Sequence, residues 1–145
     1  MKIQFYILNT DEPEKISNFV CQLVEKIFNK NHRIQIRLNS EQQLKDYDDA
    51  LWSYKISESF LAHLPESEIE DTEGKVPIVL SYNPDFIMEQ PDILVSLNIT
   101  HSTNNQFKQA LFVVNSNNKT VNQARELYKT FTSQNYELVT HKISL

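Results

Sequence analysis

Apolar positions along the chain follow two spacings, one typical of β-strands and the other typical of amphipathic helices. The segment from Lys2 to Leu8 is rich in aromatic and β-branched residues, which predicts a strand. Beyond Asp11, apolar residues recur every three or four positions as far as Phe28, which predicts a long helix with one broad apolar face. Ile34 to Leu38 then alternates apolar with polar residues and predicts a second strand.

A second helix is indicated by the residues that would cap its start. Ser40 followed by Gln43 matches a capping box, and the helical spacing of apolar residues continues to about Trp52. Residues 55–75 show no regular period. Within them the acidic stretch 66–73 predicts an exposed loop.

The second half of the chain continues the alternation of strands and helices. Strands are predicted at Pro77 to Leu80, Asp92 to Leu97, Leu111 to Val114 and Tyr136 to Thr140, and a helix from Thr120 to about Gln134. The polar segment from His101 to Lys108 is predicted to be irregular or helical. No repeat or flexible linker interrupts residues 1–145, so we expect a single domain. The alternation predicts a three-layer α/β/α fold with a mostly parallel central sheet.

The glycine content argues against the nucleotide ligands that this class of fold often binds. The chain contains one glycine, Gly74. A phosphate-binding loop or a dinucleotide-binding turn needs several glycines, because the backbone must approach the phosphates closely. The fold is therefore expected to be Rossmann-like but without a nucleotide-binding glycine loop. The nucleophile elbow of serine hydrolases is excluded for the same reason, and no cofactor is expected.

Cysteine content and charge narrow the function further. A single cysteine, Cys21, excludes an internal disulfide and a paired-cysteine zinc site, and its place on an apolar helix face predicts a small core residue. The formal net charge of -5 argues against direct binding of nucleic acid. Apolar runs are too short for a membrane span, and the start of the chain lacks the form of a signal peptide. We expect a soluble cytoplasmic protein.

Two further sets of polar residues give no pattern of catalysis or metal binding. The four histidines, His32, His63, His101 and His141, are not spaced as metal ligands, so no metal site is expected. Asp48 and Asp49 are adjacent on a predicted helix, and their side chains therefore diverge rather than forming an acid–base pair.

A basic pair in the C-terminal helix is harder to dismiss. Arg125 and Lys129 lie four residues apart and share one helix face, with Tyr128 beside them. The nearest acid, Glu126, is expected to face elsewhere. An uncompensated basic pair beside an aromatic residue suggests a site for an anionic partner. The alternative is a basic stripe that is simply solvated, and these residues alone do not decide between the two.

Five segments spread over almost the whole chain form a further pattern. They are Phe5–Tyr6–Ile7–Leu8, Asp49–Ala50–Leu51–Trp52, Glu58–Ser59–Phe60–Leu61–Ala62–His63, Asp92–Ile93–Leu94–Val95–Ser96–Leu97 and Ala124–Arg125–Glu126–Leu127–Tyr128–Lys129. In this order and at similar separations, they resemble segments of the chi subunit family of bacterial DNA polymerase III. Chi is an accessory protein of the clamp-loader complex.

The resemblance implies a bridging protein without catalytic activity of its own, belonging to a DNA-directed DNA polymerase holoenzyme. Chi proteins bind the psi subunit of the clamp loader and the acidic, Phe-terminated C-terminal tail of single-stranded DNA-binding protein. The positions that match the family's tail-binding set are Phe60, Val114, Arg125, Tyr128 and Lys129.

The roles of these residues follow from the chemistry of such a tail. Arg125 is expected to pair with the terminal carboxylate or a nearby aspartate, and Lys129 with the other acids. Phe60, Val114 and the ring of Tyr128 would enclose the terminal Phe side chain. For Phe60 and Val114 the alternative is ordinary packing in the core.

The chain departs from the family pattern at two places, and it offers one candidate residue for binding psi. Ala62–His63 stands where relatives carry Pro–His, and Asn135 occupies the turn where relatives have a glycine near the end of the last helix. Asparagine is the next best residue for a left-handed turn, so the turn is expected to form. Trp52 is a candidate anchor for the psi subunit, with burial in the core as the alternative.

Two other functions are alternatives to the bridging role. A small α/β enzyme, such as a nucleotide-dependent transferase or hydrolase with an unrecognised site, would need a phosphate loop or a base–nucleophile pair, and the sequence presents neither. Direct binding of single-stranded DNA would need a basic groove with stacked aromatic residues, and the net charge of -5 argues against it.

Overall fold

The structure is a parallel sheet with helices on both faces. The computed structural model describes residues 1–54, 63–66, 76–100 and 106–145. The elements in chain order are β1 (Lys2–Leu8), α1 (Pro13–Phe28), β2 (Ile34–Arg37), α2 (Glu41–Ser53), β3 (His63–Pro65), β4 (Ile78–Ser81), β5 (Ile93–Ser96), β6 (Gln109–Val114), α3 (Asn118–Ser133) and β7 (Glu137–Ile143). The predicted strands and helices that fall on described residues are all present, and β3 is an additional short strand.

Seven strands form one sheet in the order β3-β4-β2-β5-β6-β1-β7, and every neighbouring pair is parallel. The first strand lies between two strands from the end of the chain, since Phe5 is in register with Phe112 of β6 and Thr140 of β7. This arrangement confirms the predicted α/β fold with a mostly parallel sheet.

The two faces of the sheet bury cores of different composition, because successive side chains of a strand point to opposite faces. On one face α1 and α2 pack over a mainly aliphatic core that includes Val20, Ile36 and Leu111. On the other face α3 packs over a core rich in phenylalanine, in which Phe5 and Phe112 stack with ring centroids 5.4 Å apart. The helices on opposite faces confirm the three-layer architecture.

Apolar and polar residues alternate along strand β2, but the polar side chains are not exposed to solvent. Gln35 and Arg37 are both buried between the apolar residues of the strand. The amide nitrogen of Gln35 donates to the carbonyl oxygen of Phe86 (2.9 Å), and its amide oxygen accepts from the backbone N–H of Met88 (3.0 Å). The side chain thereby fixes the segment between β4 and β5 against the sheet face. Burial lowers the pKa of Arg37.

Helix α2 begins with the predicted capping residues. The Ser40 hydroxyl accepts a hydrogen bond from the backbone N–H of Gln43 (3.1 Å), as a capping box requires. The side-chain oxygen of Gln43 accepts from the backbone N–H of Asn39 (2.7 Å), one residue earlier than in the standard form of the motif.

Helix α3 ends in a left-handed turn without glycine. Asn135 has φ 62°, and the N–H of Tyr136 donates to the carbonyl of Phe131 (3.3 Å) while that of Asn135 donates to Thr132 (3.1 Å). These are the two hydrogen bonds of a Schellman motif, and the rings of Phe131 and Tyr136 make the accompanying apolar contact at 5.8 Å. The turn expected at Asn135 is therefore present.

Several sequence predictions fall outside the described residues. These are Phe60 and its neighbours from Glu58 to Ala62, His101, and the acidic loop beyond Glu66. Glu66 itself is described, and its carboxylate accepts from the backbone N–H groups of Tyr82 (3.3 Å) and Asn83 (3.2 Å). The start of the acidic stretch is thereby bound to the turn that follows β4.

Three other predictions concern the chemistry of the chain as a whole. Cys21 is 2% exposed, and burial raises the pKa of its thiol to about 11, so it is a core residue as predicted. Across the described residues, no cluster of three or more His, Cys, Asp or Glu side chains is placed to hold a metal ion. Within the same ranges, none of the helices has the length and apolar character needed to cross a membrane.

Candidate functional site

The basic pair predicted from the sequence lies on the outer surface of α3. Ala124, Leu127 and Phe131 form the buried face of this helix and attach it to the sheet. Arg125 and Lys129 lie one helical turn apart on the exposed side. Local helix geometry alone therefore places the two cations next to each other, as the four-residue spacing predicts.

An open groove of about 360 Å³ runs along this surface. Its described lining consists of Asn122, Arg125, Glu126, Tyr128 and Lys129. Three of the five residues predicted to bind the acidic tail therefore share one groove.

Tyr128 connects the groove to the core beneath it. The side chain is 40% exposed, and its ring centroid lies 5.6 Å from that of Phe5, with the two ring planes tilted by 53°. Phe5 itself is buried and in turn contacts Phe112 and Phe131. A ring supported from behind in this way loses little conformational entropy when a partner packs against its free face.

The charges in the groove differ from the prediction in one respect. Glu126 was expected to face away from the basic pair, but its carboxylate lies 3.5 Å from the Lys129 ammonium group. The prediction was wrong because residues three apart on a helix are neighbours, as are residues four apart. Both side chains are about three-quarters exposed, so the pair is weak. Arg125 forms no ion pair with any residue that the structure describes.

The two remaining residues of the predicted tail-binding set are placed differently. Val114 ends β6 and has no exposed surface, and it packs in the core between the sheet and α3. It does not line the groove, so its contact with a tail side chain stays a prediction. Phe60 lies outside the described residues.

Trp52, the predicted anchor for a partner subunit, lies in the last turn of α2. Its side chain is 48% exposed, which makes it the most exposed of the large hydrophobic residues that the structure describes. The alternative of a fully buried Trp52 is therefore wrong.

A crevice of about 380 Å³ occupies the place where Rossmann-like folds usually bind ligands. It lies at the carboxyl edge of the sheet, between the amino ends of α1 and α2, and its lining includes Asp11, Pro13, Ser40, Asp46 and Asn115. The residues described as lining it include two carboxylates but no lysine, arginine, histidine or cysteine. This chemistry disfavours a nucleotide phosphate at the position where the fold would otherwise hold one.

Glu126 and Asn122 are the groove residues that sequence reasoning missed. The three-residue spacing from Asn122 to Arg125 and from Glu126 to Lys129 was the available signal. Both residues add polar groups to the groove, and Glu126 competes with any anionic partner for Lys129.

Comparison with known proteins gives a consistent result over the whole chain. Residues 1–139 match the family model described as DNA polymerase III chi subunit, HolC. The chain is 28% identical over 145 residues to the DNA polymerase III subunit chi of Haemophilus influenzae, covering 97% of this chain and 96% of that protein. It is 24% identical over 144 residues to the DNA polymerase III subunit chi of Pseudomonas aeruginosa, with 98% and 96% covered.

A solved structure shares the fold at low sequence identity. The C-terminal domain of the DEAD-box protein Dbp5 superposes with a TM-score of 0.64 at 10% identity, covering 97% of this chain and 90% of that chain. A likeness at this identity concerns the fold alone.

Proposed function

Since this chain belongs to the family of DNA polymerase III chi subunits, we propose that it bridges the psi subunit and the C-terminal tail of single-stranded DNA-binding protein during DNA replication. In this proposal it acts in the cytoplasm and has no catalytic activity of its own. The observation that carries the tail-binding half is the groove on α3, where an exposed arginine without an acidic partner among the described residues adjoins a supported aromatic ring.

The groove suits an acidic peptide that ends in an aromatic residue. The Arg125 guanidinium would grip the terminal carboxylate through two hydrogen bonds, and the Lys129 ammonium would attract an aspartate further along the tail. The free face of Tyr128 would take the terminal aromatic side chain. Phe60 and Val114 belong to the proposed set, and Val114 is buried in the core between the sheet and α3.

The psi-binding half rests on a separate surface. Trp52 is an exposed aromatic side chain at the end of α2, and residues of this type are enriched at protein interfaces. We assign it the role of an anchor for psi, distinct from the groove on α3.

Fluorescence anisotropy with a labelled acidic peptide ending in Pro-Phe tests the tail-binding proposal. We expect saturable binding by the wild type that weakens as salt is raised from low to moderate concentration. Arg125→Ala should weaken binding about tenfold or more, equivalent to about 1.4 kcal/mol, because the terminal carboxylate loses its partner. Lys119→Ala is the matched control, since it removes one positive charge from the same helix outside the groove.

Two results would contradict the proposal. A wild-type protein that is folded but binds no peptide at low salt has no tail-docking function. Equal losses in Arg125→Ala and Lys119→Ala would show that the peptide responds to the overall charge of the helix, and the basic pair would then be a solvated stripe.

A further inference from the structure

A second group of cationic side chains lies at the amino edge of the sheet, where the parallel strands begin. A cavity of about 240 Å³ opens there between the last turn of α1 and the sheet. Lys26, Lys30 and His32 line it on the helix side, and the amides of Gln4 and Gln109 line it on the sheet side. No carboxylate is among the residues described as lining this amino-edge cavity.

A second depression, of about 400 Å³, adjoins the amino-edge cavity and shares His32 with it. Its lining includes Arg33, the half-buried ring of Phe28 and the amide side chains of Asn29 and Asn31. The two depressions together place three full positive charges and an aromatic ring along one continuous surface.

The positive charge on this surface is mostly uncompensated. Lys26 and Lys30 are exposed and form no ion pair with any described residue. Arg33 donates from Nε to the carbonyl oxygen of Glu89 (3.1 Å) and forms no ion pair with any described residue. Among the described acids, Asp92 lies beside the surface. Its carboxylate accepts from the backbone N–H of Arg33 (2.8 Å) and lies 2.9 Å from the Lys108 ammonium and 3.8 Å from His32 Nδ1.

Acidic residues lie at the opposite edge of the sheet. Asp11 and Asp46 line the crevice at the carboxyl edge, where Glu12 and Glu41 also lie near the helix starts. Among the described residues that line the two edges, the carboxyl-edge crevice thus has carboxylates and no cation, and the amino-edge cavity has cations and no carboxylate. A local basic surface can bind a polyanion even on an acidic protein, because charges beyond about 10 Å are largely screened at moderate salt.

We propose that the amino edge of the sheet binds the phosphate backbone of single-stranded nucleic acid. Lysine ammonium groups act as point charges that attract phosphate. Two adjoining depressions that share His32 suit successive phosphate groups of one nucleic-acid strand better than they suit a single small ion. The ring of Phe28 provides a surface on which a base can stack. This surface is separate from the groove on α3, so the inference does not depend on the proposed tail binding.

The test is anisotropy with a labelled oligothymidine at several salt concentrations. The variant is Lys26→Gln with Lys30→Gln, and the control is Lys15→Gln with Lys45→Gln, which removes the same charge from exposed, acid-paired lysines of α1 and α2. The first pair should lower the affinity about tenfold. It should also make the negative slope of log K against log salt shallower by about 1.4, since each single-strand phosphate contact contributes about −0.7. The control pair should change neither quantity substantially.

Competitors in the same assay distinguish the possible ligands. Inorganic phosphate at constant ionic strength and an oligoglutamate of equal charge should displace the strand only weakly. The proposal is overturned if folded wild type binds no strand at low salt, or if both variant pairs lose affinity equally. Displacement by phosphate at equal phosphate concentration would identify a small-anion site instead, and equally strong binding of oligoglutamate would identify an acidic-peptide site. Binding of the Pro-Phe peptide by the Lys26→Gln, Lys30→Gln protein should stay at the wild-type value.

Discussion

The groove on α3 and the crevice at the carboxyl edge differ in almost every property that matters for binding. The crevice lies where this fold usually holds a nucleotide, yet Asp11 and Asp46 line it and its described lining contains no cation. The groove lies on the outer surface of a helix, yet it presents Arg125 and Lys129 beside an aromatic ring. The comparison teaches that the usual ligand-binding place of a fold need not carry cationic groups. Here a cationic groove lies on the outer surface of α3, and the sheet positions that helix.

The largest effect should come from removing the support beneath the groove. Phe5→Ala should lower the free energy of unfolding by about 3–5 kcal/mol, because Phe5 is buried and contacts three other aromatic rings, those of Phe112, Tyr128 and Phe131. Phe5→Leu keeps much of the side-chain volume and should lower the free energy of unfolding by less. Denaturant unfolding measures both changes, and a loss below about 1 kcal/mol in Phe5→Ala would show that the ring carries little of the packing.

Phe5→Leu also tests whether the aromatic support matters for binding. The variant should stay folded and bind the Pro-Phe peptide more weakly, since Tyr128 loses the ring behind it. Unchanged peptide affinity in a folded Phe5→Leu protein would show that Tyr128 is positioned by the helix alone.

An intermediate effect should separate the groove from the crevice directly. Saturating Pro-Phe peptide, at about 100 times its Kd, should stabilise the protein by about 2.7 kcal/mol, which a thermal-shift assay detects as a higher Tm. Nucleotides without Mg²⁺ should leave the Tm unchanged, because the residues described as lining the crevice include two carboxylates and no cation. A rise in Tm with a nucleotide that persists in the Lys26→Gln, Lys30→Gln protein would instead favour the alternative of a small α/β enzyme.

The smallest effect should come from the acid inside the groove. Glu126→Gln should increase peptide affinity by about twofold, because it frees Lys129 and removes a negative charge next to an anionic ligand. Glu137→Gln serves as a control, since it removes an exposed negative charge from β7, outside the groove. Anisotropy at low salt measures the difference, and weaker binding in Glu126→Gln would show that this carboxylate supports the site.

Features set by local geometry were predictable from the sequence, and those set by distant chain segments were not. The spacing of Arg125 and Lys129 placed them on one face because helix geometry is the same in every context. The cap at Ser40 and the left-handed turn at Asn135 are equally local. The position of Glu126 is also local, because the three-residue spacing from Glu126 to Lys129 makes the two side chains neighbours on the helix.

Burial across the sheet could not be predicted in the same way. Gln35 lies in an alternating strand, and its burial depends on the segment around Phe86 and Met88, more than 50 residues later in the chain. Tyr128 owes its support to Phe5, at the other end of the sequence. Val114 lies at a strand end, and its complete burial follows from α3 packing over it. Such contacts are decided by topology, which a single sequence reveals only indirectly.

The position of β1 between β6 and β7 has a consequence for how the protein is made. Among the described strands, Lys2–Leu8 pairs with those that begin at Gln109 and Glu137, and neither is available until most of the chain has left the ribosome. Loops this long close slowly, and an unpaired apolar strand is prone to aggregate in the meantime. Phe5 lies in that strand and Tyr128 packs against it. Tyr128 therefore gains the ring behind it only once strands from both ends of the chain have come together.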